Sequence, residues 1–158
     1  MEPRFIVDTN VGHLARKLRM LGYDTLFINP IEDGRLIEIA QEEERIVISG
    51  DRMLFERRLL KSGKVKGFWI DAYQDQTVQL RQIVSACSGN ETAPFVRCIE
   101  CNTLLLSRTK EEARGKVPPY VYQTAQEYHY CPQCDQFFWK GDHVKRMREQ
   151  IDRLQSSE

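Results

Sequence analysis

Arg4-Phe5-Ile6-Val7-Asp8-Thr9-Asn10-Val11-Gly12-His13-Leu14-Ala15-Arg16-Lys17-Leu18-Arg19-Met20-Leu21-Gly22 holds the unit from which the fold is read. Its first residues are aromatic and β-branched, the composition of a strand. An acid and a short polar turn follow. Val11, Leu14, Leu18 and Leu21 then recur at helical spacing and mark one apolar face. Gly22 stands where a helix ends, because a residue without Cβ accepts the left-handed conformation that turns the chain away. A strand leading directly into an amphipathic helix is half of a βαβ unit.

The pattern repeats outward from this stretch. Thr25-Leu26-Phe27-Ile28 is a second strand, and Asp33 caps a helix with Leu36, Ile37 and Ala40 on one face. Ile46-Val47-Ile48 is a third strand, followed by a short helix over Arg52 to Leu60. Gly67-Phe68-Trp69-Ile70 is a fourth, followed by a helix with Leu80, Ile83, Val84 and Cys87 on one side. Strands alternating with helices imply an α/β fold, a parallel sheet flanked by helices with right-handed crossovers. Ser88-Gly89-Asn90-Glu91-Thr92-Ala93-Pro94 reads as a polar linker, so the expected units are 1–90 and 95–154. Beyond the linker come a loop-rich stretch with Pro118-Pro119 and an aromatic strand, Phe137-Phe138-Trp139. A last helix, capped by Asp142, follows with Val144, Met147, Ile151 and Leu154 on one face, and the tail after it is expected to fray.

The second unit is built around two Cys-x-x-Cys pairs, Cys98/Cys101 and Cys131/Cys134. Each pair bends around one ion, and four thiolates complete the closed tetrahedral shell of structural Zn2+. His129 and His143 flank the second pair, but four cysteines already satisfy the ion, so both are expected to be structural. Cys87, on an apolar helix face, is expected in the core.

With 158 residues, 41% of them hydrophobic, the chain suits one ordinary domain or two small ones. Formal net charge is zero, which excludes a global electrostatic pull toward nucleic acid; a nucleic-acid binder of this composition works through local patches. The N-terminus enters a strand with no apolar leader, and no apolar run is long enough to span a bilayer. A cytoplasmic protein with no membrane partner is expected. In that compartment paired cysteines serve as metal ligands more readily than as disulfides.

Each strand is followed by an acid: Asp8, Asp33, Asp51 and Asp71. In open parallel sheets the carboxyl ends of the strands form the ligand crevice. Crowded carboxylates repel one another unless a cation sits among them, and oxygen donors suit Mg2+ or Mn2+. Asn10 offers a neutral oxygen beside them. Aspartate is also common in turns and at helix caps, and Asp33 and Asp71 fit that plainer role best. A phosphoaspartate enzyme needs a second acid two positions after the first, where this chain has Asn10.

Asp8-Thr9-Asn10 after a strand is similar to the opening of PIN-domain nucleases. The runs Gly12 to Asp24 and Ile46 to Arg52, with Arg97-Cys98-Ile99-Glu100-Cys101-Asn102, Cys131-Pro132-Gln133-Cys134 and Phe138-Trp139-Lys140-Gly141-Asp142-His143, are more specific. Together they resemble the Mut-seven C-terminal ribonuclease family, over nearly the whole chain. The resemblance implies a PIN-like domain followed by a small four-cysteine zinc ribbon, and a metal-dependent, endonucleolytic ribonuclease with RNA as substrate. By position it implies a catalytic site of Asp8, Asp33 and Asp51, with Asp8 and Asp51 holding Mg2+ or Mn2+, and a basic helix carrying Arg16 and Arg19. One departure stands out. The family has Thr-Arg-Asp where this chain has Ser49-Gly50-Asp51, and Arg52 is the candidate replacement for the lost cation.

Arg16 and Arg19 lie opposite the leucine face, where charged residues are often simply solvated; their closeness to the rim makes them candidates for phosphate contact. Residues 52–66 add a run of Arg and Lys that reads equally as a phosphate track or a solubilising face. The aromatic residues of the ribbon divide between a small core and surfaces able to stack on unpaired bases. The alternative to an enzyme is a non-catalytic zinc-ribbon module that binds RNA or a protein partner.

Overall fold

A computed structural model describes residues 2–87, 89 and 92–156, with the side chains of 142–144, 148 and 154–156 outside that description. Four strands, β1 (Arg4–Val7), β2 (Asp24–Leu26), β3 (Ile46–Ser49) and β4 (Gly67–Trp69), form a parallel sheet in the order β2-β1-β3-β4. Helices α1 (His13–Met20), α2 (Asp33–Glu42), α3 (Arg58–Lys61) and α4 (Gln76–Ala86) flank it. The expected strand–helix alternation is therefore present. The segment after β3 differs: Arg52–Glu56 is a 3-10 turn, and only Arg58–Lys61 is α-helical.

Alternation along the central strands explains the layers. Phe5 and Val7 point into one apolar cluster, with Leu14 and Leu18 of α1 and Leu80 and Ile83 of α4. Ile6 and Val47 point into the other, with Leu36 and Ile37 of α2 and Leu60 of α3. A strand covered on both faces has no polar side, so β1 and β3 are nearly continuous hydrophobic runs. Cys87 lies in the first cluster, and burial pushes its thiol up.

Asp33 is the first residue of α2, with Glu32 at the N-cap and no side-chain cap bond. The cap expected at Asp33 is thus shifted by one position, within the ordinary uncertainty of helix ends. Asp75, rather than Asp71, caps α4, by accepting from Thr77 N–H at 2.8 Å.

The second sheet is antiparallel: β5 (Leu106–Arg108), β6 (Tyr128–Cys131) and β7 (Gln136–Trp139). Two short helices, α5 (Lys110–Ala113) and α6 (Pro119–Thr124), fill the stretch expected to be loop-rich. Thr109 and Glu112 close a capping box on α5, a signal present in the sequence. Tyr128 is the aromatic that packs into the ribbon core, beside Ala113, Val117 and Val121.

The last helix, α7 (Asp142–Ser156), follows the ribbon in sequence. The division at the linker assigns it to the ribbon unit, 95–154. Its Met147 and Ile151 instead lie in the first cluster of the parallel sheet, among Ile83, Val84 and Cys87. Val144, Leu154, the cap at Asp142 and the ring of His143 lie outside the described residues, as do Ser88, Asn90 and Glu91 of the linker. Among the described residues no helix is long and apolar enough to cross a membrane.

Candidate active site

The crossovers decide where a crevice opens. From β1 the chain crosses through α1, on one face, to the edge strand β2. From β3 it crosses through α3, on the other face, to β4. Adjacent parallel strands whose continuations leave to opposite faces define a switch point, and ligands bind at its carboxyl end. Asp8 ends β1 there, and Ser49-Gly50-Asp51 ends β3.

Asp8 is only 6% exposed. Its Oδ1 accepts from Thr9 N–H at 2.9 Å, and its Oδ2 accepts from the Ser49 hydroxyl at 2.7 Å and the Asn10 amide at 3.1 Å. Ser49 Oγ also accepts from Asp51 N–H at 3.0 Å, so one hydroxyl ties the two acids. Asn10 spans the same gap, since its Oδ1 accepts from Gly50 N–H at 2.8 Å. Asp51 caps the following turn by accepting from Met53 N–H at 2.9 Å through Oδ1. Among the described residues neither Asp8 nor Asp51 meets a basic side chain at ion-pair distance. The hydrogen-bond partners of the buried Asp8 carboxylate are all neutral donors.

The other candidates are placed differently. Asp33 faces Arg57, with Oδ2 3.7 Å from the guanidinium, and both are well exposed. Among the described residues the three acids do not form a group close enough to share an ion. Asp8 and Asp51 are linked through Ser49, whereas Asp33 faces its own cation. Asp71 accepts from Tyr73 N–H at 3.0 Å, an ordinary turn contact. The basic run after β3 is partly neutralised, because Lys61 pairs with Glu56 at 3.0 Å and Arg57 with Asp33.

The basic helix α1 directs both arginines toward the first cysteine knuckle. Arg19 is 6% exposed and donates to the carbonyls of Thr25 at 2.9 Å, Ile99 at 3.1 Å and Glu100 at 3.3 Å. Burial lowers its pKa, opposed by the charges of Cys101 and Cys98. Through Nε and Nη1 this side chain clamps α1 to β2 and to the first cysteine knuckle. Arg16 pairs with Glu100 of the same knuckle at 2.9 Å and stays half exposed. Arg52, directly after Asp51, sets its guanidinium 3.7 Å from the centre of the Trp69 ring. Gly50 is closely walled: a Cβ there would come within 3.1 Å of Ala72 Cβ and 3.3 Å of Asn10 Oδ1.

The four cysteines are brought together. Their sulfurs all lie within 4.8 Å of one another, with Cys98–Cys134 at 3.9 Å and Cys101–Cys131 at 3.5 Å. A tetrahedron with Zn–S bonds of ~2.3 Å has edges of ~3.8 Å, so the thiols fit one zinc ion. Burial opposes ionisation of Cys101, but hydrogen bonding from Thr103 and the neighbouring thiols outweighs it and lowers the pKa to about 6. His129 lies outside the quartet and stacks on Phe95, ring centres 6.5 Å apart.

The Mut7-C RNAse domain matches residues 3–151, spanning both sheets, the acidic crevice and the cysteine quartet. The chain belongs to that family. Ribonuclease-type function, with RNA as the substrate class, follows from Mut7-C membership. No curated protein and no solved structure matches the chain.

Sequence reading missed Ser49, which joins the two acids of this Mut7-C chain, and Asn102, which joins its two sheets. Asn102 follows the first knuckle at φ 74°, accepts from Thr25 N–H through Oδ1 at 2.9 Å and donates to Asp24 Oδ1 at 2.7 Å. It thereby occupies the free edge of β2. Asp24 also receives Arg45 at 2.8 Å and lies 3.7 Å from Arg97. The one available signal was Asn102's place directly after the knuckle.

Proposed function

We propose that this Mut7-C chain is a metal-dependent endoribonuclease whose site is the Asp8–Asp51 pair, in the manner of the PIN-like nucleases it resembles. The observation that carries the reading is the Ser49 bridge between two acids at the switch point, with no basic partner for either among the described residues. The donor set fits Mg2+ or Mn2+: two carboxylates, with the amide oxygen of Asn10 beside them. A divalent ion bound there lowers the pKa of water and neutralises charge on a phosphodiester.

The chain's own residues do the positioning. Ser49 and Asn10 donate to Asp8 and hold its carboxylate in one orientation. Met53 N–H donates to Asp51 Oδ1 and orients the second carboxylate that would hold the ion. Arg52, on the Trp69 ring, supplies positive charge next to the acids for the RNA backbone. Asp33, tied to Arg57, acts at the margin of the site, and Arg16 is a peripheral cation near the knuckle. Residues 1–90 with α7 form the nuclease unit, and the ribbon, with Zn2+ on its four cysteines, is the structural partner that docks on it. A protein partner through the ribbon, and a cytoplasmic setting, belong to the same proposal.

The test is cleavage of generic RNA in Mg2+ and Mn2+ by the parent and by Asp8→Asn. Asp8→Asn abolishes cleavage and leaves RNA binding intact or stronger, because it removes negative charge facing phosphate. A parent inert in both metals rejects the enzyme and favours the RNA- or protein-binding module; Gly50 in place of the arginine is the feature that would support it.

A further inference from the structure

Within residues 1–90 the described exposed large apolar side chains are Ile28, Met53, Trp69 and Tyr73. All four lie at or just past the carboxyl ends of strands β2, β3 and β4, on the rim that carries Asp8 and Asp51. Scattered exposed hydrophobics are ordinary, but confinement to one edge beside a polar site is not. Tyr73 is 99% exposed, and its backbone is held by the Asp71 turn.

Trp69 is set more firmly. Its indole N–H donates to Gly50 O at 3.1 Å, so its ring is fixed to the residue between Ser49 and Asp51. The Arg52 guanidinium covers that ring at 3.7 Å and meets no carboxylate among the described residues. A cation on an exposed side chain, held over an anchored indole, offers a platform on which another flat ring can stack.

We propose that Trp69 and Arg52, with Tyr73 beside them, form a nucleobase subsite that selects single-stranded RNA for cleavage at Asp8 and Asp51. The proposal rests on the ribonuclease reading and adds its substrate form. Unpaired bases stack on aromatic rings and guanidinium planes, whereas paired bases keep their faces inside the duplex. Anchoring by Gly50 O prepays the ordering of the indole, and Arg52 adds charge for the adjoining phosphate. Stacking is sequence-tolerant, so the subsite favours strandedness over base identity.

The experiment uses the full chain carrying Asp8→Asn, so that RNA survives, and a fluorescent oligouridylate titrated in its free form and annealed to oligoadenylate. The expected result is tighter binding of the free strand and quenching of Trp69 fluorescence, scored in a Trp139→Phe background. Trp69→Ala weakens free-strand binding by roughly 5- to 150-fold, from the ~1–3 kcal/mol that one base stack contributes. Trp69→Phe retains most of the affinity. Arg52→Ala, a surface change that does not threaten folding, weakens binding and lowers its salt dependence. Equal affinity for both RNA forms, or Trp69→Ala and Arg52→Ala both binding like the parent, overturns the subsite. If the chain with Asp8 restored still cleaves RNA in that case, the ribonuclease reading stands without the subsite. If it neither binds nor cleaves RNA, both fall.

Discussion

Gly22 shows how much a single residue carries. It follows α1 at φ 99°, donates to Arg19 O at 2.9 Å and passes the chain to Tyr23, whose N–H reaches Leu18 O at 3.0 Å. These bonds are the two of a Schellman closure. A Cβ at this position would lie 2.0 Å from the carbonyl oxygen of Ala93, because the linker turns back over the helix end. Thr92 completes the contact by donating to Leu21 O at 2.8 Å. Gly22→Ala therefore combines left-handed strain with a backbone clash, and a loss of about 2–4 kcal/mol in urea unfolding is expected. The helix stop was legible at Gly22 from its place after a leucine face. The clash was not, since Ala93 is distant in sequence. The same contrast holds at Asp8 and Arg19. Both were singled out as candidates, yet one sits in the crevice and the other is buried against the knuckle.

At the scale of elements, a seam of hydrogen bonds joins β2 to the first knuckle. Edge strands leave N–H groups unpaired, and here Asn102 takes the one on Thr25. Asn102→Ala leaves a buried N–H without its acceptor, costing about 1–3 kcal/mol. Hydrogen exchange at Thr25 then accelerates while the amides of β1 and β3 stay protected. Asn102→Asp destabilises more, because it sets a second carboxylate against Asp24. The strands of the parallel sheet were legible because their apolar runs are local. The ribbon elements β5, α5 and α6 were not, being too short for a periodic pattern; β5 exists only through pairing with a strand far along the chain, Leu106 opposite Tyr130.

For the whole molecule, the cysteine quartet and the seam are mechanically one. One zinc per chain is expected by elemental analysis. Chelation releases the ribbon first, because structural zinc supplies folding energy to its own knuckles. It also loosens Arg19, which holds the carbonyls of Ile99 and Glu100 between Cys98 and Cys101. Hydrogen exchange in the stripped protein should therefore rise in the ribbon and at Thr25 while β1 and β3 remain protected. Acid acts on the same seam through Asp24. Burial opposes its ionisation, but hydrogen bonds from Arg45 and Asn102 and the charges of Arg45 and Arg97 outweigh it and lower its pKa. A carboxylate depressed on folding stabilises fully above its unfolded value and loses that contribution as pH falls through the folded one. The seam thus holds at neutral pH and weakens below the ordinary carboxylate range. Asp24→Asn should flatten that part of the acid-unfolding curve; an unchanged curve rejects the assignment.

The sequence by itself determined the alternating α/β layer, the two knuckles and the family, because periodicity and Cys-x-x-Cys spacing are properties of neighbouring residues. Only the tertiary structure decided which acids meet, what Arg19 serves and where α7 packs. Those outcomes depend on side chains brought together from far apart: Ser49 with Asp8, Asn102 with Thr25, and Met147 and Ile151 with Ile83. Strand order and crossover direction set these meetings, and no local pattern encodes the distance between two loops at the end of a sheet.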